Sequence, residues 1–131
     1  MQFDNSISFI VQGNPIPKQR SRKGAYGNWY NPQSTEMNIF KRIIKNQLPE
    51  KWEIIPAKKP IQCDISFFFE INKTNISEGD PYVLKKDRDN LDKFVLDSLS
   101  KIVYYDDCQV YCGWIEKVYS KIPRTEIKIQ W

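Results

Sequence analysis

Residues 87–93 read Asp-Arg-Asp-Asn-Leu-Asp-Lys, and residues 104–110 read Tyr-Tyr-Asp-Asp-Cys-Gln-Val. Eight of the sixteen acidic residues lie between positions 77 and 107, in a chain whose net charge is +4. Asp87 and Asp89 are two apart, so in an extended approach to a helix both carboxylates point to one side and Arg88 to the other. A helix beginning at Asn90 puts Asp89 at its N-cap, where the dipole partly offsets the repulsion of the pair. Lys93 follows about one turn later and Asp97 another, along the same face. Asp106 and Asp107 come after the helix, on a short turn able to fold back beside it. Carboxylates gathered this closely raise one another's pKa unless a cation neutralises them. Magnesium suits such a site, since it takes oxygen ligands, needs few carboxylates and keeps several waters.

The same residues admit a plainer reading. Asp89 and Asn90 can cap a helix, Asp92 and Asp97 can be its solvated face, Asp106 and Asp107 a polar turn, and Lys93 an ion-pair partner one turn away. Asp-x-Asp is a weak motif, and spacing alone favours this second view.

The composition narrows the chemistry. The chain contains no histidine, which removes the usual general base, every Ser-His-Asp or Cys-His arrangement and any His-ligated metal. Three cysteines, Cys63, Cys108 and Cys112, have no partner set to complete a zinc tetrahedron and are expected to be free thiols. What remains is carboxylate, lysine, tyrosine or a bound metal, with no small-molecule cofactor expected. At 131 residues with 40% hydrophobic content the sequence fits one domain. No apolar run approaches a membrane span and the first residues do not resemble a secretion signal, so a soluble cytoplasmic protein without membrane attachment is expected.

Charge is also skewed along the chain. Residues 1–59 carry ten Lys/Arg against four Asp/Glu, and residues 60–131 ten against twelve. A polyanion-binding surface beside an acidic pocket accounts for both facts. Lys18, Arg20, Arg22 and Lys23 in Asn-Pro-Ile-Pro-Lys-Gln-Arg-Ser-Arg-Lys-Gly are candidate phosphate contacts, or else a solvated basic loop. Tyr26, Trp29 and Tyr30 beside them can stack on bases or simply cover the loop.

Periodicity supplies the elements that must position these groups. Ile7, Phe9 and Val11 alternate in a first strand over 7–13, followed by a Pro- and Gly-rich loop over 14–32 with a short hairpin near 25–30. Ser34 or Thr35 can cap a helix running to about Gln47, with Met37, Phe40, Ile43 and Ile44 on its apolar stripe. Lys41, Arg42 and Lys45 occupy its other face and are further candidates for phosphate contact. The clearest strand begins at Ile61 and alternates through Cys63, Ile65, Phe67, Phe69 and Ile71. Residues 73–86 read as a mobile polar loop. The second helix turns Leu91, Val95, Leu99 and Ile102 inward, and closing strands follow over 109–119 and 125–130. No repeat or internal boundary is evident, so the expectation is a single α+β domain over 1–131, a mixed β-sheet packed against two main helices.

Taken together, Asp-Arg-Asp-Asn-Leu-Asp-Lys-Phe-Val-Leu-Asp-Ser-Leu followed by Asp-Asp-Cys-Gln-Val resembles the signature of the RusA family of Holliday-junction resolvases. The early Gly-Asn-Pro-Ile-Pro-Lys-Gln-Arg-Ser-Arg, the first helix and the late Pro-Arg-Thr-Glu-Ile-Lys-Ile resemble other parts of that family in the right order. The resemblance implies that Asp87, Asp89 and Asp107 are catalytic carboxylates, with Asp106 accessory and Lys93 the essential lysine. It implies metal binding by Asp87, Asp89, Asp106 and Asp107, dependence on Mg²⁺ with Mn²⁺ able to substitute, and a homodimer that nicks branched DNA at four-way junctions in recombination and repair, often of phage or prophage origin. The chain departs from the family in Gln-Arg-Ser-Arg, where a proline often precedes the last arginine, and in the long 73–86 loop. Two other classes stay in view: a non-catalytic branched-DNA-binding module of the same fold, and a structural protein with an acidic patch.

Overall fold

The computed structural model describes residues 2–131. The alternating first segment forms β1 (Ser6–Gln12), with Phe9 and Val11 buried. Two short strands, β2 (Arg22–Lys23) and β3 (Trp29–Tyr30), pair antiparallel as a ribbon that starts earlier than the hairpin expected near 25–30. Its turn uses Gly27 at φ +84°, a left-handed conformation that glycine adopts without a Cβ penalty. Next come α1 (Ser34–Gln47), β4 (Ile61–Glu70) and α2 (Arg88–Leu99). A single 3-10 turn over Asp107–Gln109 leads into β5 (Val110–Cys112), β6 (Ile115–Ser120) and β7 (Arg124–Gln130).

These strands make the mixed sheet of an α+β fold, in the order β1, β7, β4, with β5 and β6 sharing the far edge of β4. β7 runs antiparallel to both neighbours, while β5 and β6 run parallel to β4. Parallel pairing follows from the connection, because the chain leaves β4, crosses through α2 and returns in the same direction. The expected closing strand over 109–119 is split in two at Gly113. A Cβ there would collide with the Cys63 carbonyl, so the close approach of the two backbones requires glycine. The Asp64 carboxylate accepts from the Trp114 amide at 2.8 Å, satisfying a donor that the break releases.

One face of the sheet carries the core. Ile61, Cys63, Ile65, Phe67 and Phe69 of β4 and Ile127 and Ile129 of β7 are buried together with Met37, Phe40 and Ile44 of α1 and Leu91, Phe94, Val95 and Leu99 of α2. The helices meet at Phe40 and Phe94, edge to face with centroids 5.4 Å apart, an arrangement worth about 1 kcal/mol beyond the area buried. Ile102, expected inward, is only partly buried because the helix ends at Leu99.

The segment over 73–86 is not a free loop. It lies against β6, with the Gly79 and Tyr82 amides donating to Tyr119 and Lys117 carbonyls and the Tyr119 amide donating to Asp80. Tyr82 stacks on Phe69 at 3.8 Å, so the outer edge of β6 is covered rather than open to pairing. All three cysteines are free. Among the described residues no helix is long and apolar enough to cross a membrane.

Candidate active site

α2 organises the acidic residues. It begins at Arg88, so Asp87 rather than Asp89 is the N-cap; its backbone is extended, and its side chain makes no capping hydrogen bond. The approach to Asp87 is fixed from two sides. Lys117 Nζ donates to the Lys86 carbonyl at 2.8 Å, and Lys86 Nζ donates to the Pro15 carbonyl at 3.2 Å. Asp87, Asp89 and Lys93 are exposed. Asp89, Lys93 and Asp97 follow one another at four-residue spacing, which places Lys93 midway along a strip of roughly 12 Å at a helical rise of about 1.5 Å per residue.

The far end of that strip is built by the segment after α2. Tyr104, fully buried, donates its hydroxyl to the Leu96 carbonyl at 2.6 Å and holds the chain against the helix. The 3-10 turn is then closed by a capping box. The Asp106 carboxylate accepts from the Cys108 amide at 3.0 Å, and the Gln109 side chain accepts from the Asp106 amide at 2.8 Å. This brings Asp107 between Asp97 and Asp106. Asp92 is apart from the strip, beside Cys63 and β5, and burial raises its pKa despite the nearby Arg88 guanidinium.

The environment separates the two adjacent carboxylates of the turn. Hydrogen bonding to Cys108 holds Asp106 below the ordinary carboxylate range. Partial burial, then hydrogen bonding and repulsion from Asp97 and Asp106, push Asp107 above it. A raised carboxylate pKa means that the folded state binds the proton more tightly than the unfolded one. The stability it contributes is present at low pH and is lost as pH rises through the folded pKa. At neutral pH the ionised group is a source of strain. Asp107→Asn is therefore expected to raise the melting temperature of metal-free protein at pH 7 by about 1–3 °C, since solvent screening limits the gain to roughly 0.5 kcal/mol. The difference should fade as pH falls and the carboxylate is protonated in both states, and thermal melts of both proteins over a series of pH values would read it; a destabilised variant would make the carboxylate structural.

The donor set is entirely carboxylate oxygen, and the crowding at Asp107 is of the kind a hard divalent cation relieves. Among the described residues no three such side chains already form a cage. Magnesium fits this arrangement because it completes its shell with waters and substrate phosphate.

The basic candidates divide. Lys18 is half-buried, with its amide bonded to the Asn90 carbonyl at 2.8 Å and its ammonium 3.5 Å from Asp97. It ties the basic loop to α2. Buried Gln33 fixes the same loop, donating to the Pro17 carbonyl and accepting from the Gln19 amide, both at 2.7 Å. Arg20, Arg22 and Lys23 are exposed on or before the ribbon, and Arg42 and Lys45 are exposed on α1, with Lys41 half-buried. Tyr26 at the ribbon turn is 95% exposed and Trp29 71%, so neither covers a core.

Two residues acquire roles that spacing did not assign. Asp97, read above as a helix-face acid, is the bridge between the basic loop and Asp107. Gln109 closes the acidic turn, and the Asp-x-x-Gln pattern of a capping box was the available signal.

None of the curated proteins resembles the chain closely. The family model described as endodeoxyribonuclease RusA, however, matches residues 12–130, nearly the whole chain, including the ribbon, α2 and the acidic turn. On that match the chain belongs to the RusA family of endodeoxyribonucleases.

Proposed function

We propose that the protein is a divalent-metal-dependent, structure-selective endonuclease that resolves four-way DNA junctions by paired cuts, acting as a homodimer in recombination and repair. The observation that carries this reading is the acidic strip of α2 and the following turn, with Lys93 midway along it, in a chain of this family. Asp106 and Asp107 on the turn and Asp87 and Asp89 at the start of α2 form two separate carboxylate pairs among the described residues, and together they would supply the oxygens for Mg²⁺ or Mn²⁺. When bound, such an ion supplies a water of lowered pKa and neutralises charge on the phosphate.

The chain's own groups do the rest. The carboxylates orient the attacking water, and Lys93 donates to a non-bridging oxygen or to the departing 3′ oxygen, where negative charge grows. Arg20, Arg22 and Lys23, with Arg42 and Lys45, grip backbone phosphates, which register shape before sequence. Two such sites related by a two-fold axis match two symmetric cuts in a four-way substrate.

The reading is tested with purified protein, a synthetic four-way junction and a linear duplex, each with and without Mg²⁺. Paired nicks in the junction alone, and only with metal, are expected; equal cutting of both substrates, or of neither, would remove the proposal. The grip has its own test. Arg20→Ala with Arg22→Ala should reduce the slope of log affinity against log salt by about two, one per lost phosphate contact. Because both side chains are exposed, the double variant should melt like the parent. An unchanged slope would transfer the role to Arg42 and Lys45.

A further inference from the structure

Beside the acidic turn is a cavity of about 480 Å³, with Asp106 in its wall. Residues 57–60 form the opposite side, and Tyr105 and Tyr111 contribute aromatic surface. Neither ring belongs to the core, since 51% of Tyr105 and 55% of Tyr111 is exposed. The lining is mostly apolar, while Lys58 and Lys59 add two ammonium groups.

The cavity is preformed. Gln109 Nε2 donates to the carbonyls of Pro56 at 2.8 Å and Lys59 at 3.0 Å, while its Oε1 holds the Asp106 amide. One side chain therefore joins the two walls. Between those carbonyls Lys58 has φ 70°, a left-handed conformation that non-glycine residues adopt rarely and only where the surroundings impose it. Lys101 lies 3.6 Å from the Tyr105 ring centroid but does not line the cavity.

An occupant must offer a flat apolar face to the tyrosines and negative charge to the lysines, and must sit next to carboxylates that handle a phosphodiester. A nucleobase still attached to its backbone meets all three requirements, and the volume lies within the range of sites for small planar ligands. Stacking on the tyrosines holds a base of any kind, and Lys58 and Lys59 in the lining are the donors that can separate one base edge from another. Withdrawing a base costs least where stacking is already interrupted, as at a branch point. We infer that this cavity receives one unstacked base of the strand being cut, next to the scissile phosphate, and so biases where on a junction the cut falls. The inference rests on the nuclease reading and adds a specificity determinant to it.

The test uses full-length protein, Mg²⁺ and four-way junctions randomised around the branch point, with the cut ends sequenced. Wild type is expected to favour one base beside the cut by about tenfold, the scale on which a site of stacking and polar contacts separates bases. Tyr105→Ala with Tyr111→Ala should flatten that bias to below about twofold, whereas Tyr105→Phe with Tyr111→Phe should keep it, because the rings remain. The phenylalanine pair should melt close to the parent, while the alanine pair should melt a few degrees lower through loss of the Lys101–Tyr105 contact, so the cut bias is read well below both transitions. A bias unchanged in the alanine pair, absent in wild type or lost equally in the phenylalanine pair would overturn the inference. So would a bias unchanged in an alanine pair that sediments as a smaller species, which would make the cavity a contact between copies of the chain. Failure of wild type to cut any junction would sink the nuclease reading itself, while cutting with unaltered bias would sink the base site alone.

Discussion

Asp87→Asn and Asp89→Asn should each lower junction cleavage by about 10³-fold while binding stays near the parental level. A metal-dependent phosphodiesterase that loses a carboxylate ligand loses the activated water and the charge neutralisation together, on the scale of roughly 4 kcal/mol of transition-state stabilisation. Affinity has a different origin, in phosphate contacts made by arginine and lysine, and removing a negative charge does not weaken attraction for a polyanion. The structure makes this separation clean. Asp87 makes no capping hydrogen bond with its side chain, and both carboxylates are exposed, so amides of the same shape should leave the fold intact. Gel shifts, melting curves and cleavage assays on the same preparations decide it. Joint loss of binding and stability would show that these residues support the helix and do not catalyse.

Lys93→Ala should slow the chemical step by about 10²- to 10³-fold, corresponding to roughly 3–4 kcal/mol, with a much smaller loss of affinity. The lysine is exposed, midway along the acidic strip, so it is open to solvent and supports no packing. A donor that engages charge developing in the transition state changes the rate more than ground-state binding. Single-turnover kinetics at saturating enzyme isolates that step. Lys93→Arg is a useful companion, because a planar fork replaces a compact ammonium without removing the charge. A normal rate in the alanine variant would leave Lys93 as a partner of neighbouring carboxylates and nothing more.

What the sequence revealed was set by the range over which its signals act. The inward residues of β4 were legible because alternation is local and one face is buried throughout. The division of 109–119 into β5 and β6 was not, because it depends on Gly113 meeting the backbone at Cys63, a contact between distant residues. Residues 73–86 misled for a similar reason. Their polarity gave no sign that Tyr82 would stack on Phe69 or that the segment would pair along β6. In the candidate site, the spacing of Asp87, Asp89 and Lys93 could be read directly, as could the turn bearing Asp106 and Asp107. The ion pair of Lys18 with Asp97 joins a loop to a helix across most of the chain. Nothing in the spacing of either residue announces it, so Lys18 was read as a phosphate contact or as part of a solvated basic loop.

Gln109 also governs how this region breathes. Its amide closes one bond to Asp106 and two to the 56–59 segment, so neither wall can open without surrendering bonds belonging to the other. Together with the backbone bonds between Ile55 and residues 103–105, this couples local fluctuations of the acidic turn and of the facing loop into one cooperative opening unit. Residues far apart in sequence, at 56–59 and at 106–109, should accordingly share one excursion from the native state, and the Asp106 carboxylate is kept out of independent motion by a neighbour on its own turn.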